Sequence, residues 1–217
     1  MLEELDDTLK QATLRVVEKA LSQLNPDEVY GFALYTSGDF QYLTDSLFTE
    51  SGLNTVTHKY FDKYDWFREQ TGTYEEGKRR LRWSPCDSPQ HLFAEEEFNR
   101  PAELLAALWR PIEDIPDPYT ESNPYERLCD SLCRAIEICM LRSLVHLRQS
   151  AILTDSTVLC LMMGDQSNEM RLAYAEILNT PATVALFRQQ LQEIDEAELD
   201  VCRSQIPTDL SLPEIEV

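Results

Sequence analysis

The chain predicts an α+β fold: a mixed, largely antiparallel sheet packed against several helices in a single compact domain. Three observations lead there. Two short apolar runs, Val29 to Thr36 and Thr157 to Met163, are bounded by turn residues and read as strands covered on both faces. Around them lie longer stretches whose apolar residues recur every three or four positions, as amphipathic helices require. Of 217 residues, 43% are hydrophobic and 27% charged, an ordinary balance for a chain able to bury a sizeable core.

Taken in order, residues 1–24 form the first helix, with Leu2, Leu5, Leu9, Ala12, Val16, Ala20 and Leu24 on one side. Asn25-Pro26 stops it, because the residue before a proline is pushed out of the helical region. The strand Val29 to Thr36 follows, with Tyr30, Phe32 and Leu34 expected in one layer and Gly31 and Ala33 allowing close packing on the other. After Ser37-Gly38-Asp39, Phe40 to Phe48 reads as a second, antiparallel strand. A helix of about Leu53 to Phe67 carries Val56, Tyr60, Phe61 and Tyr64 on one side.

Lys78 to Ser84 alternates Leu81 and Trp83 with arginines and reads as an edge or half-buried strand ended by Pro85. Cys86 to Asn99 reads as a loop, and Arg100 to Trp109 as a helix with Pro101 in its first turn. Pro111, Pro116 and Pro118, among Glu113, Asp114 and Asp117, mark a stiff acidic connector. Asn123 and Pro124 then open the longest helix, to Gln149. After the strand Thr157 to Met163, Gly164-Asp165 turns the chain and Ser167 caps a helix of about Asn168 to Leu178. Thr180-Pro181 starts a last helix to about Ile194. From Glu193 onwards eight acidic residues face one arginine, so residues 1–195 are expected as the domain and 196–217 as a mobile acidic tail.

The unusual bulk property is a net charge of −20. Such a surface repels nucleic acid and anionic membranes and favours basic partners. The basic stretch Lys78 to Arg82, beside Tyr74 and Trp83, is too small a footprint for phosphate-backbone binding in that field. Acidic residues at the N-terminus and the absence of a long apolar run point to a cytoplasmic protein with its six cysteines reduced.

Motifs for chemistry are lacking. No nucleophile elbow, phosphate loop or His-Glu-x-x-His occurs. Cys129 and Cys133 share a helix face, yet no second ligand pair accompanies them, and buried core cysteines explain them better. No catalytic residue, metal or cofactor is expected.

Tyr30-Gly-Phe-Ala-Leu-Tyr-Thr36, Leu81-Arg-Trp-Ser-Pro85, the late strand ending in Gly164-Asp165, and Leu178-Asn-Thr-Pro181 together resemble the bacterial domain-of-unknown-function family numbered forty-three-oh-three. Cys86-Asp87-Ser88-Pro89 departs from its pattern, where a further aromatic follows the Ser-Pro step. The resemblance implies an α+β fold without established activity, and a similarity in size and acidity to bacterial immunity proteins that neutralise toxins.

Two functions follow as expectations. One is a protein-binding module that neutralises a basic toxin through an acidic surface of Glu95, Glu96, Glu97, Glu113, Asp114 and Asp117, with Trp109 as aromatic anchor. The other is an enzyme or small-ligand binder whose pocket assembles from Tyr35, Arg82, Trp83 and Asp165.

Overall fold

β1 (Val29–Thr36) is buried along its length except at Tyr30, because the sheet covers it on both sides. The computed structural model describes residues 1–113, 115, 125–191 and 193–213. Within them the sheet has four strands, with β2 (Thr44–Thr49), β3 (Gln90–His91) and β4 (Val158–Met163) in the order β3-β2-β1-β4. β2 runs antiparallel to β1 and to β3, while β4 runs parallel to β1. The mixed, largely antiparallel α+β fold is therefore the observed one, and its two long apolar strands lie side by side.

Register sets the two faces. Phe32 and Leu34 align with Leu47 and Asp45 on β2 and with Leu159 and Leu161 on β4. Asp45 feels the charge of Lys19 on α1 (Leu2–Gln23), so this face turns toward α1. α1 packs against α5 (Asn99–Glu113) and α6 (Tyr125–Gln149), and α6 also touches β4. On the opposite face Gly31, Ala33 and Tyr35 align with Val158, Cys160 and Met162. There the Cys160 thiol donates to the Arg171 carbonyl of α7 (Asn168–Leu178), which covers the sheet.

A bulge corrects one expectation. The β1–β2 register slips between Val29 and Gly31, so Tyr30 is the extra residue. Its ring leaves the layer of Phe32 and Leu34 and packs edge-on to Trp83, with centroids 5.1 Å apart. Its hydroxyl donates to the Arg82 carbonyl at 2.7 Å. Gly31 beside it lies under the same indole: a Cβ there would sit 2.5 Å from the Trp83 ring.

The segment read as a strand at residues 78–84 is instead mostly α4 (Tyr74–Leu81). Thr73 caps it, accepting from the Glu76 amide at 3.2 Å, and Glu76 pairs with Arg79 and Arg80 one turn on. Capping and ion pairs at helical spacing outweigh a two-residue alternation. The helix expected at residues 53–67 starts earlier, at Thr49, and breaks at Tyr64 into α2 (Glu50–Lys63) and α3 (Asp65–Thr71). These three helices enclose a satellite core of Leu53, Val56, Phe67 and Leu81.

The C-terminal part differs from the expected tail. α8 (Pro181–Gln190), capped by Thr180, precedes α9 (Glu196–Gln205), which packs on α7 and sends Leu199 and Cys202 into the main core. Residues 196–205 bury only Leu199 and Cys202, which is why an acidic composition disguised a packed helix.

Asn179, just past α7, closes the outer edge of β4. Its side chain accepts from the Leu159 amide and donates to the Leu159 carbonyl, both at 2.8 Å, in place of another strand. Arg148 on α6 holds that carboxamide oxygen at 2.7 Å and binds the carbonyls of Thr154 and Thr157 as well. The exposed strand edge is thereby satisfied by side chains.

Candidate functional site

The acidic ridge of the sequence reading falls on a short 3-10 turn, Glu95–Phe98, which leads into α5. Two of its carboxylates are neutralised: Glu96 pairs with Lys19, and Glu97 accepts from Arg15 at 2.5 Å. Glu95 and Glu113 are exposed and make no ion pair among the described residues, while Asp114 and Asp117 lie outside those residues. Trp109 is only 6% exposed, with its indole N–H donating to the Phe40 carbonyl at 3.3 Å. It is a core residue and cannot serve as a surface anchor.

A different aromatic cluster is open to solvent. Trp66 on α3 is 51% exposed, the most open of the large aromatic side chains among the described residues. Its ring meets Tyr64 at 5.9 Å, Phe67 at 5.7 Å and Tyr60 at 6.5 Å. Tyr60 is anchored in turn by Asp87, and that hydrogen bond, followed by burial, pushes its hydroxyl up to about 12. Exposed Asp62, Asp65 and Glu69 rim the cluster, with Lys63 over the Tyr64 ring and Arg68 paired to Asp65.

The four residues of the expected pocket divide between two places. Arg82 and Trp83 stand at the end of α4: Arg82 lies 4.1 Å over the Tyr30 ring and pairs with Glu50, and Trp83 is 4% exposed. Tyr35 and Asp165 belong to the far end of β1. The Tyr35 hydroxyl accepts from the Cys86 thiol at 3.4 Å, and Gly164 abuts it across the β4 exit. Asp165 is exposed in that turn at φ +56°. The cavities at Arg82 and Trp83 include neither Tyr35 nor Asp165.

What does converge at Trp83 is a set of arginines. A cavity of about 250 Å³ is lined by Arg79 and Arg80 from α4, Trp83, and Asn168 and Arg171 from the first turn of α7. A second cavity of about 340 Å³ adjoins it, sharing Arg79 and adding Lys78 and Arg82. Arg82 Nε, Trp83 Nε1 and Arg171 Nε are buried donors with no acceptor among the described residues. Buried donors without acceptors cost free energy and are rare in native folds.

Sequence reading marked Trp83 and the basic stretch but missed Arg171, a lone arginine on an amphipathic helix that carries no local signature. It also missed Trp66, which sat inside a run of aromatics taken for one helix face. The described residues contain no group of three or more His, Cys, Asp or Glu arranged to hold a metal ion, and none of their helices is long and apolar enough to cross a membrane.

The family described as domain of unknown function (DUF4303) matches residues 9–180, which include the Trp66 cluster and the arginines of the cavity and reach Thr180 just after Asn179. The chain belongs to that family. No curated protein and no solved structure matches it.

Proposed function

We propose that this member of the DUF4303 family is a protein-binding module that neutralises a basic partner protein, as a bacterial immunity protein does its toxin. The observation that carries the reading is the exposed Trp66 cluster. Tryptophan, tyrosine and arginine dominate the energetics of protein interfaces, and a half-open Trp braced by two tyrosines is pre-organised for that role. The carboxylates around it and the net charge of −20 favour a basic partner and speed its approach, by about 10- to 1000-fold at low salt. The anchor is thus Trp66 in place of Trp109, with Glu95 and Glu113 contributing to the field rather than to the contact.

Co-expression with the product of the adjacent gene, followed by capture and growth rescue, tests this. Trp66→Ala should keep the fold, since the side chain is half exposed, and weaken capture by about 30-fold, the effect of losing one hot spot. Absence of a complex, or capture unchanged in Trp66→Ala, overturns the reading.

A second reading, an enzyme or small-ligand-binding protein with a site assembled from distant residues, is favoured by the arginine-lined cavity between α4 and α7. The two readings use different residues, so mutation separates them.

A further inference from the structure

The geometry points to the cavity walled by Arg79, Arg80, Trp83 and Arg171 as a binding site for a tetrahedral oxyanion of the phosphate class. This rests on the small-ligand reading and is independent of partner capture through Trp66.

The charge pattern is the first support. The chain has 39 carboxylates against 19 cationic side chains, so an arginine has no shortage of partners. Arg15, Arg68, Arg100, Arg134, Arg142, Arg188 and Arg203 each pair with a carboxylate. Arg171 has none. Arg148 lacks one too, but its guanidinium is occupied by four oxygen acceptors from Thr154, Thr157, Leu178 and Asn179. Arg171 makes one contact, donating to the Trp83 carbonyl at 3.3 Å, and its Nε finds nothing. A guanidinium is charged at every accessible pH and offers five donors. Most of those on Arg171 are uncommitted.

The neighbours compound this. Arg79 and Arg80 share the single carboxylate of Glu76. Lys78 and Arg82 share Glu50, and Glu75 lines the adjoining cavity. Five cations against three carboxylates leave two positive charges in excess over the two adjoining cavities of a protein whose net charge is −20.

Shape and donor type select the ligand. Paired guanidiniums match phosphate oxygens through parallel N–H donors, which a single halide cannot exploit. The first turn of α7 adds helix-end polarity through Asn168 on the same wall. At about 250 Å³ the inner cavity holds one phosphate group, and the adjoining one of about 340 Å³ has room for the organic part of a phosphate monoester. Free phosphate and a monoester headgroup present the same chemistry to the arginines.

Titration calorimetry on the full chain, with inorganic phosphate and with ribose 5-phosphate at constant ionic strength, tests the assignment. Binding of either should appear in the wild type and weaken at least tenfold in Arg79→Ala/Arg80→Ala, whose side chains are about half exposed and whose loss spares the core. Arg171→Gln, which keeps a donor for the Trp83 carbonyl, should do the same. Ribose 5-phosphate binding tenfold tighter than phosphate identifies a monoester as the ligand, and equal affinities identify the free ion. Neither ligand binding, or binding unchanged in both variants, overturns the proposal. If citrate alone binds and Arg79→Ala/Arg80→Ala abolishes it, the phosphate class is wrong while a small-ligand site stands.

Discussion

Replacing Asp45 by asparagine should stabilise the protein at neutral pH and lose most of that advantage in mild acid. Asp45 is fully buried in β2. One carboxylate oxygen accepts from the Ala94 amide at 3.4 Å, and the other has no partner. Burial pushes the carboxyl from 3.8 up to about 6, against the amide hydrogen bonds of Ala94 and Phe93, with Glu96 adding to the rise. At 1.36 kcal/mol per tenfold change in proton affinity, that gap is about 3 kcal/mol. The folded state holds this proton more tightly than the unfolded state, so the ionised side chain opposes folding. The penalty is complete above pH 6 or so and lifts as pH falls toward 3.8. Asparagine keeps the acceptor for Ala94 but places an N–H where the unpaired oxygen was, which costs about 1 kcal/mol or more. The net gain is about 1–2 kcal/mol near pH 7.5, and near pH 5 about half of the penalty has gone. Urea unfolding of both proteins at the two pH values measures the difference between them, which cancels titrations common to both, including those of nearby Lys19, Glu96 and His91. A difference that does not shrink on acidification refutes the assignment of a raised, buried carboxyl.

Two further substitutions probe the sheet. Gly31→Ala puts a methyl 2.5 Å from a Trp83 ring already held by Tyr30, Phe48 and Phe187, and overpacking of that kind costs about 1–3 kcal/mol in denaturant unfolding. Gly38→Ala, whose Cβ meets nothing within 4 Å, is the control expected to change little. Asn179→Ala removes the hydrogen bonds that close the β4 edge and leaves the Leu159 amide and carbonyl unpaired, for a loss of about 2–4 kcal/mol. Amide exchange at Leu159 should accelerate in that variant, and protection equal to the wild type would show that the edge is satisfied another way.

Much of the fold was legible because its signals are local. Helix α1 announces itself through apolar spacing, the strands through apolar runs between turns, and α7 and α8 through Ser167 and Thr180, which cap them as expected. The failures share one cause, a local pattern that two structures satisfy equally. Leu81 and Trp83 alternate with arginines as a strand would, yet Thr73 and Glu76 three residues later form a helix start, and that signal was there to be read. Trp109 invites a reading as an anchor, although Leu105, Leu108 and Ile112 place it on the apolar side of its own helix, a periodicity that marks core. The arginine cavity was only half visible. It joins residues 79–83 to residue 171, which lies 88 positions beyond Trp83, and no spacing rule encodes a contact of that kind.

The segment Leu81 to Pro85 shows how a family motif can be structural and functional at once. Leu81 fills the satellite core, and Arg82 bridges Glu50 while its carbonyl takes the Tyr30 hydroxyl. Trp83 packs into the space that Gly31 leaves and against Phe187 of α8, with centroids 4.7 Å apart, and its carbonyl is the one acceptor that Arg171 has. Ser84 ties back to Asp87 at 2.6 Å, and Pro85 is buried. Five consecutive residues thus join α2, α4, α7, α8 and the β1 bulge. The same contacts that fix the indole fix the wall of the cavity that Arg79, Arg80 and Arg171 line. Rigidity there matters to binding, because arginines carried on helices packed against a fixed indole have less backbone freedom to lose when an anion arrives than arginines on mobile loops.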